Sequence, residues 1–229
     1  MQEESTSSLE AAWRDVTARA EAAAGGRPLH VLAVGKTRPA AELRAMAALG
    51  QRAFGENYVQ EARAKQLALA DLGLEWHLIG PLQSNKCGDV ARRFDWLQTL
   101  DRAKLVPLLA QARPPTGPTL EVLVQVNIDD EASKSGCRPR DIGSLADTVA
   151  ATTRLRLRGL MAIPAPHPDR ALRQRAFARM RHAFDALRLD HPGIDTLSMG
   201  MSDDFELAIR EGATMVRIGS QLFGPRHAR

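Results

Sequence analysis

Eight short apolar runs, separated in turn by helical patterns, constrain this chain more than any other feature. They are His30–Val34, Arg52–Phe54, Glu75–Ile79, Trp96–Thr99, Thr119–Asn127, Arg156–Ile163, Thr196–Met199 and Met215–Ile218. Strand–helix alternation with β-branched runs argues for a parallel sheet. Eight such units in roughly 200 residues predict an α/β chain closed into a single (β/α)8 (TIM) barrel, at the small end of that fold's range. A doubly wound open sheet is the alternative. It usually carries a Gly-rich fingerprint after its first strand, and Gly35-Lys36-Thr37-Arg38-Pro39 matches neither that fingerprint nor the P-loop spacing. Ahead of the first run, Leu9, Ala12, Trp13 and Val16 share one face of an amphipathic pattern, which predicts an extra N-terminal helix from about Ser8 to Ala24.

The 229 residues show no linker or shift in composition, so one domain over 1–229 is expected, with the barrel over about 29–226. Pro114-Pro115-Thr116-Gly117-Pro118 reads as a loop between a helix and a strand. No apolar run approaches membrane-spanning length, and the acidic, polar start shows no secretory signal. Cys87 and Cys137 form no CxxC, which favours a reduced, cytoplasmic setting, with Cys87 a possible oxidisable thiol. No metal-ligand spacing occurs. The net charge of +4 derives largely from arginines such as those between Arg170 and Arg188, on the solvated side of a helix whose other face is apolar. With only ten aromatic residues, the chain lacks the interleaved basic and aromatic surface of a nucleic-acid binder.

The strand ends carry the chemistry, because barrel enzymes build their sites at the C-terminal ends of the strands. Lys36 follows the first run, and it is one of five lysines against twenty-six arginines. On position alone a solvated side chain at a strand end is the readier reading. An arginine-preferring chain that keeps a lysine there suggests a need for an amine, and neutral amine attacks aldehydes. After the last strand, Gly219 allows close approach of backbone to an anion, and Ser220 offers a hydroxyl and an N–H at the start of a helical turn. Ser198 and Gly200 can add donors from the neighbouring strand end. Asp203 and Asp204 would repel a phosphate, so both carboxylates are expected to point away from it. Arg217 lies inside the last strand and needs an acceptor, either a carboxylate such as Glu56 or a ring nitrogen of a bound heteroaromatic.

An amine, an anion cradle and an arginine between them match the aldehyde, phosphate and pyridine nitrogen of pyridoxal 5′-phosphate (PLP). Lys36 would form the Schiff base, Arg217 would meet the ring nitrogen, and Ser198, Gly219 and Ser220 would hold the phosphate. Asn57 could bond near the ring, and Met199 and Met161 could pack against it.

Seven ordered segments then carry a resemblance over nearly the whole chain. They are Ala33–Thr37, Phe54–Glu61, Trp76–Lys86, Ser133–Gly136, Gly159–Pro164, Leu197–Asp204 and Arg217–Ser220. On these the sequence resembles the YggS/PROSC (PLPBP) family of pyridoxal phosphate homeostasis proteins. The resemblance implies a fold like the N-terminal domain of alanine racemase, with PLP held covalently by the lysine after strand one. It implies storage, buffering or delivery of PLP within the cell and no established reaction. Two departures stand out: Gly35 where the family commonly has serine, and Ser220 where it often has threonine.

The residue chemistry points the same way. Racemisation needs an acid or base on each face of the ring. Lys36 could serve one face, but the only tyrosine, Tyr58, lies near the start of a helix. Arginine would not readily protonate the ring nitrogen, which weakens the electron sink. A PLP carrier is thus the first expectation and a weak PLP-dependent amino-acid racemase the alternative. Expected partners are PLP, free amino acids and, transiently, PLP-dependent apo-enzymes, with no nucleic acid or membrane, and the chain acting as a monomer. Lys134, in a matched segment, is a second amine to consider.

Overall fold

The computed structural model describes residues 2–131 and 135–225, so Lys134 and Arg226 lie outside the described residues. A leading helix, α1 (Gln2–Ala24), precedes β1 (His30–Val34), α2 (Ala40–Ala48), β2 (Ala53–Glu56) and α3 (Val59–Ala68). Next come β3 (Glu75–Leu78), α4 (Cys87–Arg93), β4 (Trp96–Leu100), α5 (Leu105–Ala112) and β5 (Leu120–Val126). The chain continues through α6 (Ile142–Ala150), β6 (Leu155–Ala162), α7 (Arg170–Asp190) and β7 (Thr196–Met201), ending with α8 (Phe205–Arg210), β8 (Met215–Ile218) and the short α9 (Ser220–Phe223).

The eight strands form a closed barrel in sequence order, every pair parallel. This is the expected (β/α)8 barrel. Closure is made by β1 against β8, with His30 opposite Met215 and Ala33 opposite Ile218. That register sets the turn after β1 beside the turn after β8, which matters for the site. Most of the apolar core lies between the strands and the surrounding helices. The barrel interior holds a smaller apolar group, Trp96, Leu123 and Met161. Met161 is therefore interior core.

The side-chain period of two explains the partition. Along β3, Trp76 turns outward against Phe54, their ring centroids 6.0 Å apart. His77 turns inward and stacks on Trp96 with centroids 5.1 Å apart. The leading helix packs outside this cylinder, against α8, α9 and α2. Its Arg19 donates to Glu206 on α8 and to Gln221 on α9.

Gly159 shows how tightly two strands can be forced together. Its φ of +142° is a conformation L side chains rarely adopt, and a Cβ there would lie 2.0 Å from the Thr196 carbonyl oxygen on β7. Gly159→Ala is expected to destabilise the fold by at least about 2 kcal/mol, combining backbone strain with a clash against main chain that cannot swing away. A thermal or urea melt equal to wild type would remove that account of β6.

Candidate functional site

A cavity of about 270 Å³ opens at the C-terminal mouth of the barrel. Lys36, Asn57, Arg217, Gly219 and Ser220 all line it. Residues from β1 and β8 and from the turns after β1, β2 and β8 thus meet in one place. Val34, Ile79, Ile163 and Met201 supply its apolar walls, and Arg38, Ser202 and Asp203 complete its lining.

Lys36 sits half-buried in the turn after β1. The turn is made by an uncommon backbone: Thr37 has φ of 64°, in the left-handed region that a β-branched residue avoids at a cost of about 1–2 kcal/mol. A buried cation holds it there. Lys65 Nζ, on α3, donates to the Gly35 carbonyl at 2.6 Å, to Glu56 Oε1 at 2.8 Å and to Glu61 Oε1 at 2.7 Å. Glu61 Oε1 in turn accepts the Thr37 backbone N–H at 2.5 Å. One ammonium therefore secures the residues on both sides of Lys36. Gly35 fits the same arrangement, since a Cβ there would lie 2.6 Å from Glu56 Oε1.

Glu56 is fully buried and its Oε2 has no hydrogen-bond partner among the described residues. Loss of hydration outweighs its attraction to Lys65 and pushes its carboxyl up to about 7. The expectation that Glu56 might neutralise Arg217 is corrected here: Glu56 is bonded to Lys65.

Arg217 is buried at 4% exposure. Its Nη1 donates to Ser198 Oγ at 2.7 Å and its Nη2 to the Ala162 carbonyl at 2.9 Å. Burial lowers its pKa to about 10, against which Asp204 acts, so the guanidinium stays charged at neutral pH.

Three expected site residues are placed elsewhere. Ser198 points into the barrel beneath the mouth, fully buried, and donates to Gln98 Oε1 at 2.8 Å while accepting from Arg217. Met199 turns outward into the helix-packed core. Gly200 has φ of 92°, and a Cβ there would lie 2.5 Å from Ala208 Cβ, so glycine is required for α8 to approach β7. None of the three lines the cavity. Ser202 takes their place: its Oγ accepts the Gly219 N–H at 3.4 Å, and its carbonyl accepts from Gln221 Nε2 at 2.6 Å. Asp203, expected to stand clear, is among the lining residues, whereas Asp204 Oδ1 folds back to accept the Met201 N–H at 2.7 Å.

At the α9 entry, the first-turn N–H groups of Ser220 and Gln221 have no partner within the helix and can meet an anion. Packing does not demand glycine at 219, since a Cβ would rest on Val34 at 3.4 Å. Arg38 is buried, donates to the Gly224 and Pro225 carbonyls, and fixes the far end of α9 to the β1 side. Sequence reasoning passed over Arg38, Ser202 and Met201 as site residues; the last two stand in a matched segment, which was the available signal. Cys87 is buried with its Sγ near the Gln83 carbonyl, and burial raises its thiol pKa, so it is no exposed oxidisable thiol. Among the described residues no His, Cys, Asp and Glu cluster could hold a metal ion, and no helix is long and apolar enough to cross a membrane.

Residues 7–227 match the family described as alanine racemase, N-terminal domain. The chain is 55% identical over 206 residues to the pyridoxal phosphate homeostasis protein of Pseudomonas aeruginosa, covering 89% of this chain and 88% of that protein. It belongs to the pyridoxal phosphate homeostasis protein family. The Escherichia coli K12 member is 49% identical over 218 residues, 93% of each chain. PipY of Synechococcus elongatus, in a structure with PLP bound, superposes with a TM-score of 0.82 at 36% identity, covering 94% of this chain and 100% of that one. Alanine racemase of Corynebacterium glutamicum shares the fold, with a TM-score of 0.67 at 19% identity over 97% of this chain and 62% of that one.

The raised Glu56 carboxyl has a signed consequence. Its folded-state pKa of about 7 lies above the unfolded value near 4.5. The folded state then binds more protons between these values, and ionising Glu56 lowers stability as pH rises from about 4.5 to about 7. Glu56→Gln, which keeps an acceptor for Lys65, is expected to flatten that part of the stability–pH curve. Parallel wild-type and variant curves from melts across this window would show that Glu56 is not the responsible group.

Proposed function

We propose that this chain binds pyridoxal 5′-phosphate through a Schiff base on Lys36 and serves PLP homeostasis by storing, buffering or delivering the cofactor. The single observation that carries this reading is that Lys36, Arg217 and the Gly219–Ser220 turn line one cavity. When bound, PLP supplies an aldehyde that an amine can hold reversibly. The donor set fits its other two groups. Arg217 is a fixed donor for the pyridine nitrogen, and the N–H groups of Ser220 and Gln221, with the Ser202 hydroxyl, suit the phosphate. Asn57 borders the ring space, and Ile79, Ile163 and Met201 offer it apolar walls. The PLP-bound relative and the names of the curated relatives support the same conclusion.

The chain acts as a carrier with no turnover of its own, in the cytoplasm and as a monomer. Free amino acids compete for the aldehyde, and apo-enzymes receive it in passing. A racemase would need a second acid or base at the ring. Tyr58, the side chain considered for that role, is 60% exposed and is not among the cavity-lining residues, so it lends the alternative no support.

Borohydride reduction followed by peptide mass mapping tests the assignment. Wild type is expected to gain one reduced PLP adduct on the peptide containing Lys36, and Lys36→Ala is expected to lose it while remaining folded. An undiminished adduct in Lys36→Ala would transfer the role to another amine, with Lys134 the first to test. Arg217→Ala is expected to release PLP about tenfold more readily on dilution, the effect of losing one charged hydrogen bond. Retention equal to wild type would make Arg217 a purely structural residue.

A further inference from the structure

Arg217 begins a continuous line of buried hydrogen bonds that crosses the barrel to its opposite end. Arg217 Nη1 donates to Ser198 Oγ at 2.7 Å. Ser198 Oγ donates to Gln98 Oε1 at 2.8 Å. Gln98 Nε2 lies 2.9 Å from His77 Nδ1, and His77 Nε2 lies 2.7 Å from Glu75 Oε1. Ser198, Gln98 and His77 are fully buried, whereas Glu75, the first residue of β3, has a side chain 48% exposed at the N-terminal end of the barrel.

The two ends dictate the direction of every bond between them. A guanidinium only donates and an ionised carboxylate only accepts. Ser198 accepts from Arg217, so its own hydrogen goes to the Gln98 carbonyl oxygen. That orients the amide, whose Nε2 must donate to His77 Nδ1 and also lies 3.1 Å from Met215 Sδ. His77 then carries its proton on Nε2 and gives it to Glu75. Reversing the amide would leave Ser198 Oγ with two donors and no acceptor, and would set a bare ring nitrogen against a carboxylate. Burial keeps the His77 ring neutral, as this pattern requires. The line is thus a polarised chain from cation to anion, in an interior where aligned dipoles reinforce one another.

We propose that Glu75, on the far face of the barrel, is a positioning residue for the mouth: through His77, Gln98 and Ser198 it locks Arg217 as an immobile donor aimed at its ligand. The ligand half of the proposal rests on PLP being that ligand. The locking half does not. Among the described residues no carboxylate is paired with this guanidinium at hydrogen-bond distance; its bonded partners are neutral oxygens, and Asp204 attracts it from farther off. The relay adds a carboxylate at the far end of the barrel to the attraction of Asp204, away from the cavity that Asp203 already lines.

Glu75→Gln tests this with little threat to the fold, since the residue is half-exposed and the amide oxygen still accepts from His77. Two readouts are needed. In the protein without PLP, nitrogen NMR is expected to show His77 as the neutral Nε2–H tautomer in wild type, and Arg217 guanidinium rotation accelerating in Glu75→Gln. With PLP added, the variant is expected to lose the cofactor about three- to tenfold faster at an unchanged melting temperature. The same change made in an Arg217→Ala background is expected to have no further effect. Unaltered Arg217 dynamics in the PLP-free variant would overturn the proposal, as would a wild-type His77 protonated on Nδ1. Altered dynamics with unchanged retention, or an equal loss of retention in both backgrounds, would overturn its ligand half. If wild type itself takes up no PLP, the proposed function fails, and the NMR comparison still decides whether Glu75 locks Arg217.

Discussion

The pairing of the first strand with the last is the interaction on which the rest of the molecule depends. A parallel sheet of eight strands has two edges until β1 meets β8, and closure removes both. The register of that seam also builds the site. With Ala33 opposite Ile218, the chain leaves β1 at Lys36 and β8 at Gly219 on the same rim, so the amine and the Gly219–Ser220 turn border one cavity. No local preference of either segment could achieve that, because they are separated by most of the chain.

The buried polar groups of the site form two bonded sets, in which Glu56 Oε2 is left without a partner among the described residues. Under the amine, Lys65 gathers Gly35, Glu56 and Glu61 and holds an otherwise costly left-handed threonine. Along the axis, Arg217, Ser198, Gln98 and His77 are each both buried and partnered. Such interiors gain definition rather than stability, since fully bonded polar groups about break even against apolar packing and are costly when one partner is lost. The site's rigidity is therefore expected to come from these buried bonds more than from the loops at the rim.

Much of this was legible in the sequence. The β1 and β8 boundaries fall where the apolar runs begin and end. The second apolar run spans Arg52–Phe54, whereas β2 continues to Glu56, a buried ionisable residue whose partner lies nine residues on. The third segment of the site was harder. Ser198, Met199 and Gly200 are adjacent in a matched motif, and linear order does not say which face each takes. The register shift between Ser198 and Met201 breaks the alternation there and delivers Met201 and Ser202, not the preceding three, to the cavity. The axial relay had no signal at all, since Gln98 and Ser198 lie 100 positions apart and each alone is an ordinary polar residue in a strand.

The leading helix has an effect that barrel geometry alone would not suggest. Arg19 reaches from α1 to Gln221, and the Gln221 amide closes on the Ser202 carbonyl, so a helix outside the cylinder grips the turn that borders the cavity. The closure of the barrel and the anchorage of its rim are thus separate, one made by main chain and the other by an outer helix.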